Sequence, residues 1–346
     1  MANEIGHPIG PMGWVVPDAT TLVEMLDKEK RFFAAAQAAS PAFYEPRPMR
    51  AIDPDILIRW DSFQESKGRF AGSNDFSLLD EFVFGKTLTW LPQDIGSCVW
   101  SNTFRRWVER ATAEIGFYGQ PEEWIGMEEF GPNSLAPFCV SYGFAREIAN
   151  MRGGDGLYCS PMQKSLVQDG VVLCSNPKLA ELLSSVGAGG TNDYPEVRSA
   201  SLYRKIGDWV WNSALRPHAT CKLLESPKVT TYEQFLKNED EFKPMFSCSG
   251  LAIKIAGQHP DGFTYHTQNT SDSWAHNMGL GGRRVTSKGD IFHRVDNTSW
   301  LSPDQPNRDS YVYWIQAKEV KSWFDRKLID VGTIGEIDGV QSVVQI

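Results

Sequence analysis

The residue with the strongest chemical signature is a cysteine at the predicted start of a helix. Gly96, Ser97 and Cys98 lead directly into an amphipathic stretch, which predicts that the Cys98 thiol lies on the first helical turn. The positive end of the helix dipole and the unsatisfied N–H groups there favour a thiolate, the nucleophilic form of cysteine. A small buried core residue is the alternative interpretation of the same position. Apolar side chains at helical spacing predict one buried helix face, formed by Phe104, Trp107 or Val108, Ala111 and Ile115.

An ordered series of motifs follows this cysteine along the chain. Gly153-Gly154 precedes Ser-Pro-Met-Gln-Lys-Ser-Leu-Val-Gln-Asp-Gly-Val at 160–171, and Lys-Pro precedes an apolar segment near residue 245. His276 lies within Ser-Trp-Ala-His-Asn-Met-Gly-Leu-Gly-Gly, and Asn297 lies within Asp-Asn-Thr-Ser-Trp. Together with Gly-Ser-Cys, this series resembles the papain-like cysteine peptidases, in particular their prokaryotic and phage branch. The resemblance covers roughly residues 86–320.

The resemblance implies an α+β, papain-like two-lobed fold in which a helical lobe precedes an antiparallel β lobe. It implies that Cys98 is the nucleophile, that His276 is the general base and acid, and that Asn297 orients the imidazole. The Cys98 backbone N–H is the first candidate donor to an oxyanion, and Gln93 is the second. The candidate substrate-binding residues are Gly153, Gly154 and Trp300.

The chain departs from the family pattern near both ends of the candidate site. Gln93 lies one position closer to the nucleophile than the family's glutamine does, and position 92 is proline. Thr298 is inserted between Asn297 and the Ser-Trp pair. These departures favour the interpretation that the chain is a catalytically degenerate member of the family.

Other residues compete for the roles given to His276 and Asn297. His266 and His293 lie in the same part of the chain, and Asn297 itself has ordinary turn neighbours. The alternative orienting carboxylates are Asp272, Asp290 and Asp296.

Three regions follow from the residue patterns. Residues 1–85 are predicted to form an N-terminal arm or extension, 86–215 a helical lobe that carries Cys98, and 216–346 a β-rich lobe that carries His276 and Asn297. Besides the helix at Cys98, helices are predicted over 20–39, 134–151, 160–168 and 177–185. Strands are predicted over 245–255, 263–266, 275–280, 291–295 and 311–317.

Composition excludes several functional classes. The 346-residue chain has a net charge of −9 and no basic run, which argues against nucleic acid as a partner. No signal-peptide pattern and no bilayer-spanning apolar segment is visible, so no membrane association is predicted. Six cysteines without paired spacing predict reduced thiols in a cytoplasmic protein rather than a disulfide framework or a metal site. No phosphate-binding or metal-binding motif is present, so we expect no cofactor and no metal.

Two functions follow from these patterns. The first is a thiol peptidase or amidase that acts on a peptide or protein substrate. The second is a papain-fold protein used as a structural or interaction component, for example of a phage particle. In that case its partners are copies of itself in a homo-oligomer or viral assembly proteins, and its location is the virion or the host cytoplasm.

Overall fold

The computed structural model confirms the α+β class, with helices first and an extended sheet in the later half of the chain. It describes the residues in the ranges 52–85, 98–118, 159–172, 215–219, 221–297 and 312–338, together with residue 181. The predicted helices at 20–39 and 134–151 lie outside these ranges, and of 177–185 only Glu181 is described.

Among the described residues, four α-helices precede the sheet. They are α1 (Pro54–Ser66), α2 (Leu79–Phe84), α3 (Cys98–Tyr118) and α4 (Cys159–Gln168). α1 begins with proline at its first position, and the Asp53 carboxylate accepts a hydrogen bond from the Asp55 N–H. The predicted starts near residues 98 and 160 are thus confirmed to within one residue.

Residues 52–85, within the predicted N-terminal arm, pack against the central helix. α1, α2 and the short 3-10 helix Phe76–Leu78 contribute aromatic and aliphatic side chains to one buried cluster. Trp60 lies at its centre, with the rings of Phe117 from α3 and Phe82 from α2 at 5.7 Å and 5.1 Å. This part of the extension therefore belongs to the folded body that supports α3.

The later half of the chain forms a six-stranded sheet among the described residues. Its strands are β1 (Lys228–Val229), β2 (Met245–His259), β3 (Phe263–Val285), β4 (Ile291–Asp296), β5 (Val312–Gln316) and β6 (Ile329–Thr333). The order is β1-β6-β2-β3-β4-β5, and neighbouring strands are antiparallel. One further parallel bridge, between His266 and Ile315, pairs β5 with β3. This end of the sheet therefore curls on itself.

In the part of the chain that the structure describes, two helices cover the inner face of the sheet. α5 (Tyr232–Asp240) begins at a reciprocal capping box formed by Thr231 and Gln234, and α6 (Ala317–Asp325) directly follows β5. Apolar side chains from both helices and all six strands form the main core; among them are Phe235, Met278, Leu280, Val295 and Trp323.

Two sequence predictions about these elements need correction. The segments 263–266 and 275–280 belong to one strand, β3, because β2 pairs with it along most of its length and keeps the intervening polar residues in the sheet. α3 is buried on nearly every side rather than on one face, and Arg106 and Glu109 are fully buried together with Phe104. Their charges are tolerated because each lies against an opposite charge.

The cysteines provide a further correction. Cys159 at the start of α4 and Cys248 on β2 form a disulfide, with Cα atoms 6.4 Å apart. The expectation of six reduced thiols is therefore wrong for this pair. Because the two residues are separated by 89 positions, their proximity depends on the packing of α4 against the sheet. No helix in the described part of the chain is long and apolar enough to span a bilayer.

Candidate functional site

Cys98 is the first residue of α3, as its sequence context predicts, and it is fully buried. Its neighbour one turn later, Asn102, attaches this turn to the sheet. The Asn102 side-chain Nδ2 donates to the carbonyl oxygen of Cys98 at 3.3 Å and to that of Asn277 at 2.6 Å. Because Asn277 directly follows His276, this amide ties the start of α3 to the strand that carries the candidate histidine.

His276 and Asn297 are brought together although they come from different strands. His276 lies on β3 and Asn297 follows the last residue of β4, and the His276 Nε2 lies 2.7 Å from the Asn297 Oδ1. The Asn297 Nδ2 donates to the Tyr313 hydroxyl on β5 at 3.1 Å. His276 is fully buried and Asn297 is 6% exposed. The arrangement is a hydrogen-bonded row of a buried imidazole, a buried amide and a half-buried phenol.

A second tie from α3 reaches the strand that precedes Asn297. The Arg106 guanidinium donates to the carboxylate of Asp296, the residue before Asn297. Cys98, Asn102 and Arg106 are spaced by four residues along α3, so they follow one side of the helix. One helix stripe therefore starts at the candidate nucleophile and contacts the residues adjacent to both of its candidate partners.

Arg106 belongs to a buried charge cluster between α3 and the sheet. Glu109 forms an ion pair with Arg106 at 3.0 Å and accepts a hydrogen bond from Arg294 at 3.0 Å. Arg294 also donates to Asp296 at 2.7 Å. Burial acts to lower the pKa of Arg294, but the Asp296 and Glu109 charges outweigh it and raise that pKa above its usual value. Arg294 therefore stays charged, and the carboxylate of Asp296 is held by two arginines.

Side-chain alternation places the charge cluster and the His276–Asn297 pair on opposite faces of the sheet. Successive residues of a strand point to opposite sides. Gly279 lies against the Arg106 guanidinium on the α3 side, whereas Met278 and Leu280 belong to the core beneath α5 and α6. His276 has the parity of Met278, so the His276–Asn297 pair lies on this inner face.

The competing histidines have different surroundings. His293 is fully buried, its Nδ1 donates to Glu239 at 3.0 Å, and its Nε2 lies 2.6 Å from the Tyr232 hydroxyl. Both ring nitrogens are thus used to join β4 to α5. Burial lowers the pKa of His266 to about 4, and its ring lies 4.7 Å from the Tyr313 ring. His266 is therefore neutral near pH 7, and its ring packs against Tyr313 at the end of the row.

The alternative orienting carboxylates have surroundings of their own. Asp296 is held by Arg106 and Arg294, and Asp272 and Asp290 are exposed. Four other predicted site residues lie outside the described part of the chain, namely Gln93, Gly153, Gly154 and Trp300.

Three residues that position the site were missed by the sequence reasoning. Asn102 and Arg106 repeat the spacing of Cys98 along a helix, which was a usable signal. Tyr313 carried no signal, because its contact with Asn297 depends on the pairing of β4 with β5. Among the described residues, no group of three or more His, Cys, Asp or Glu side chains is arranged to hold a metal ion.

Comparison with known proteins yields only weak structural similarity. No family model matches the sequence, and no curated protein matches it. One similar structure is the 2.05 Å crystal structure of the ragweed pollen allergen Amb a 11, a cysteine protease, in its proform. Its sequence is 11% identical, the match covers 95% of this chain and 99% of the allergen chain, and the TM-score is 0.32. The 2.70 Å structure of the same proform is 13% identical over 57% of this chain and has a TM-score of 0.29. This chain covers 46% of that second structure.

Proposed function

We propose that this chain is a papain-like thiol peptidase or amidase, which cleaves a peptide bond with Cys98 as nucleophile, His276 as general base and acid, and Asn297 as the orienting residue. The observation that carries the proposal is the 2.7 Å hydrogen bond between His276 Nε2 and Asn297 Oδ1. Both side chains are buried on the core face of a sheet, where apolar residues are the usual occupants. A polar pair maintained in such a place favours a function over a purely structural role.

The direction of this hydrogen bond decides which imidazole nitrogen is basic. An amide oxygen only accepts, so Nε2 carries the proton and Nδ1 carries the lone pair. The Asn297 Nδ2 donates to the Tyr313 hydroxyl at the other end of the amide. A neutral imidazole with a fixed tautomer is the form that a general base requires.

The proposed reaction uses one proton and one nucleophile. His276 Nδ1 takes the proton of the Cys98 thiol, and the thiolate sulfur forms a bond to the carbonyl carbon of the substrate. The imidazolium then gives its proton to the leaving amine as the C–N bond breaks, which leaves a thioester. Water, activated by the neutral imidazole, hydrolyses that thioester and restores the thiol. The Cys98 N–H, at the helix start, can stabilise the oxyanion.

A second function, that of a structural or interaction component, is favoured by two observations. Cys98 and His276 are both 0% exposed, so a substrate can reach these side chains only after a conformational change that exposes them. His276 also lies on the sheet face opposite α3 by side-chain alternation. In this case the partners are further copies of the chain or viral assembly proteins, for example in a phage particle, in the virion or the host cytoplasm.

The experiment that separates the two functions is labelling followed by intact-mass measurement. The full chain is exposed briefly to a peptide epoxide or a peptide chloromethyl ketone at pH 6. The variants are Cys98→Ser and His276→Ala, and the matched control is Cys221→Ser, which removes the other buried thiol outside a disulfide among the described residues. Rapid single labelling that is lost in both site variants and kept in the control is the expected result. Absence of labelling, or equal slow labelling of several cysteines, would overturn the peptidase proposal and favour the structural one.

A further inference from the structure

We infer that the Cys159–Cys248 disulfide is a redox-controlled latch that keeps the Cys98 thiol covered, and that its reduction by a dithiol exposes this thiol. The inference deepens the proposed function and rests on it, because it names the event that opens the buried nucleophile to a substrate. The opening itself is a property of the fold, so reagents that need no catalysis can measure it.

The disulfide lies on the sheet face that α3 covers. Cys248 on β2 pairs with Asn277 on β3, so the two side chains share one face. Asn277 has the parity of Gly279, the glycine that contacts α3. Gly332 on β6 is in register with Gly279 across β2, and Gln163 of α4 lies against it. Both helices therefore lie on this face, and the disulfide joins the start of α4 to it.

Asn277 is the residue at which the disulfide meets the start of α3. Its Nδ2 donates to the Cys159 Sγ at 3.1 Å and to the Cys248 Sγ at 3.5 Å, so one amide contacts both sulfur atoms. Its backbone carbonyl accepts from Asn102, which also donates to the carbonyl of Cys98. Asn277 is fully buried. The starts of the two helices are therefore linked through a single buried residue.

α4 is attached at its start by the disulfide and nearer its other end by hydrogen bonds. The Leu166 carbonyl accepts from the Leu223 N–H at 2.9 Å, and the Gln163 Nε2 donates to the Ser226 carbonyl at 3.2 Å. These hydrogen bonds contain no group that a dithiol can reduce. Reduction therefore releases the start of the helix and leaves its other end attached, so that α4 can pivot about that end.

The latch opens by thiol–disulfide exchange. Cys159 is 6% exposed and Cys248 is 4% exposed, whereas Cys98 is 0% exposed, so the disulfide is the more accessible of the two groups. A thiolate of the dithiol attacks one sulfur atom and releases the other as a thiolate, and the second thiol of the reductant resolves the mixed disulfide. Two electrons and two protons thus convert the pair to thiols, and the reductant becomes a disulfide. Two thiols cannot remain at covalent distance, so the start of α4 moves away from β2.

The test measures iodoacetamide labelling of Cys98 in the full chain. The samples are the oxidised chain, the chain reduced with dithiothreitol and then freed of it, and the double variant Cys159→Ser/Cys248→Ser, which copies the reduced state without new thiols. Peptide mapping by mass spectrometry separates the cysteines. Cys221, a second buried cysteine outside the disulfide, is the internal control, and Cys221→Ser is the matched variant that keeps the latch.

We expect reduction and the double variant each to raise the labelling rate of Cys98 about tenfold or more, because a covalent attachment next to its helical turn is lost. The rate at Cys221 should change less than about twofold in the same samples, since local opening leaves the rest of the fold closed. Equal rates at Cys98 in the oxidised and reduced chains would overturn the latch. A parallel rise at Cys221 would overturn it as well, because it would show general loosening. A disulfide that resists dithiothreitol in the folded chain would overturn the redox control.

A second reagent separates failure of the latch from failure of the proposed function. Iodoacetamide alkylates an exposed thiol without help from His276, whereas rapid labelling by the peptide epoxide needs the peptidase site. Iodoacetamide labelling that depends on reduction, without epoxide labelling in the reduced chain, would support the latch and overturn the proposed function. Epoxide labelling of Cys98 at one rate in both redox states would support the function and overturn the latch.

Discussion

The tightest contact between α3 and the sheet offers a direct test of how the site is aligned. Gly279 on β3 lies opposite Asp296 on β4, and the Arg106 side chain passes over it. A Cβ atom at this position would lie 2.6 Å from Arg106 Nη1 and 2.8 Å from Arg106 Cζ. The substitution Gly279→Ala therefore forces the guanidinium to move by about 1 Å to reach ordinary contact distance.

The cost of that movement follows from how the guanidinium is held. Arg106 is 0% exposed and binds Glu109 at 3.0 Å as well as Asp296, so water cannot replace a weakened contact. Breaking a buried ion pair by removal of one partner costs about 3–5 kcal/mol, and overpacking a core costs about 1–3 kcal/mol. Because Arg106 is displaced rather than removed, we expect Gly279→Ala to lower the free energy of unfolding by about 3 kcal/mol.

The control for this prediction is Gly250→Ala on the neighbouring strand β2. A Cβ atom there would meet nothing within 4 Å, so this variant reports only the general effect of replacing a strand glycine. Urea unfolding followed by tryptophan fluorescence gives the free energy of unfolding for both variants. Values for the two variants within about 0.5 kcal/mol of each other would refute the reasoning, because they would show that Arg106 moves without loss.

Three further predictions concern the surroundings of the site. Reduction of the Cys159–Cys248 disulfide is expected to lower the free energy of unfolding by up to about 4–5 kcal/mol, which is the chain-entropy value for the 89-residue separation. A urea midpoint that does not respond to reductant would contradict this prediction. Asn102→Ala removes two hydrogen bonds to backbone carbonyls, so we expect it to lower the free energy of unfolding in urea by about 1–3 kcal/mol and to slow Cys98 labelling. An unchanged free energy of unfolding would show that the amide does not hold α3 to β3. Because burial lowers the pKa of His266 to about 4, below its unfolded value near 6.5, its contribution to stability is complete above about pH 6.5 and is lost as the pH falls through 4. His266→Phe should flatten the fall in thermal unfolding temperature over that interval, and an identical slope in both proteins would contradict the assignment.

Local sequence signals predicted the elements that carry the candidate site. The start of α3 at Cys98, helix α4 and strands β2, β4 and β5 follow from capping residues, apolar periodicity and glycine or proline boundaries. These signals depend on neighbours a few positions away, so they predict local structure without knowledge of the tertiary contacts. The pairing of His276 with Asn297 was expected from the order of motifs, and the structure places the two side chains in contact. Their catalytic roles remain a prediction.

The features that were not predicted depend on residues far apart in the chain. The Cys159–Cys248 disulfide requires α4 to lie against β2, and the spacing of the cysteines in the sequence does not predict this pairing. The continuity of β3 depends on its partner strand, because polar residues in its middle would otherwise indicate a loop. The burial of Arg106 and Glu109 was missed because charged residues normally mark the exposed face of a helix.

The buried charges explain why α3 has one alignment with the sheet rather than several. An apolar helix face could slide along β3 at small cost, since hydrophobic contact is not directional. A shift of α3 by one residue would separate Arg106 from Asp296 and Glu109 from Arg294, leaving charges without partners in a region closed to water. Buried ion pairs add little net stability compared with apolar residues, so their benefit here is this selection of register. Because Cys98 and Asn102 lie on the same helix stripe as Arg106, the register that satisfies the charges also determines where the Cys98 turn meets the strand of His276.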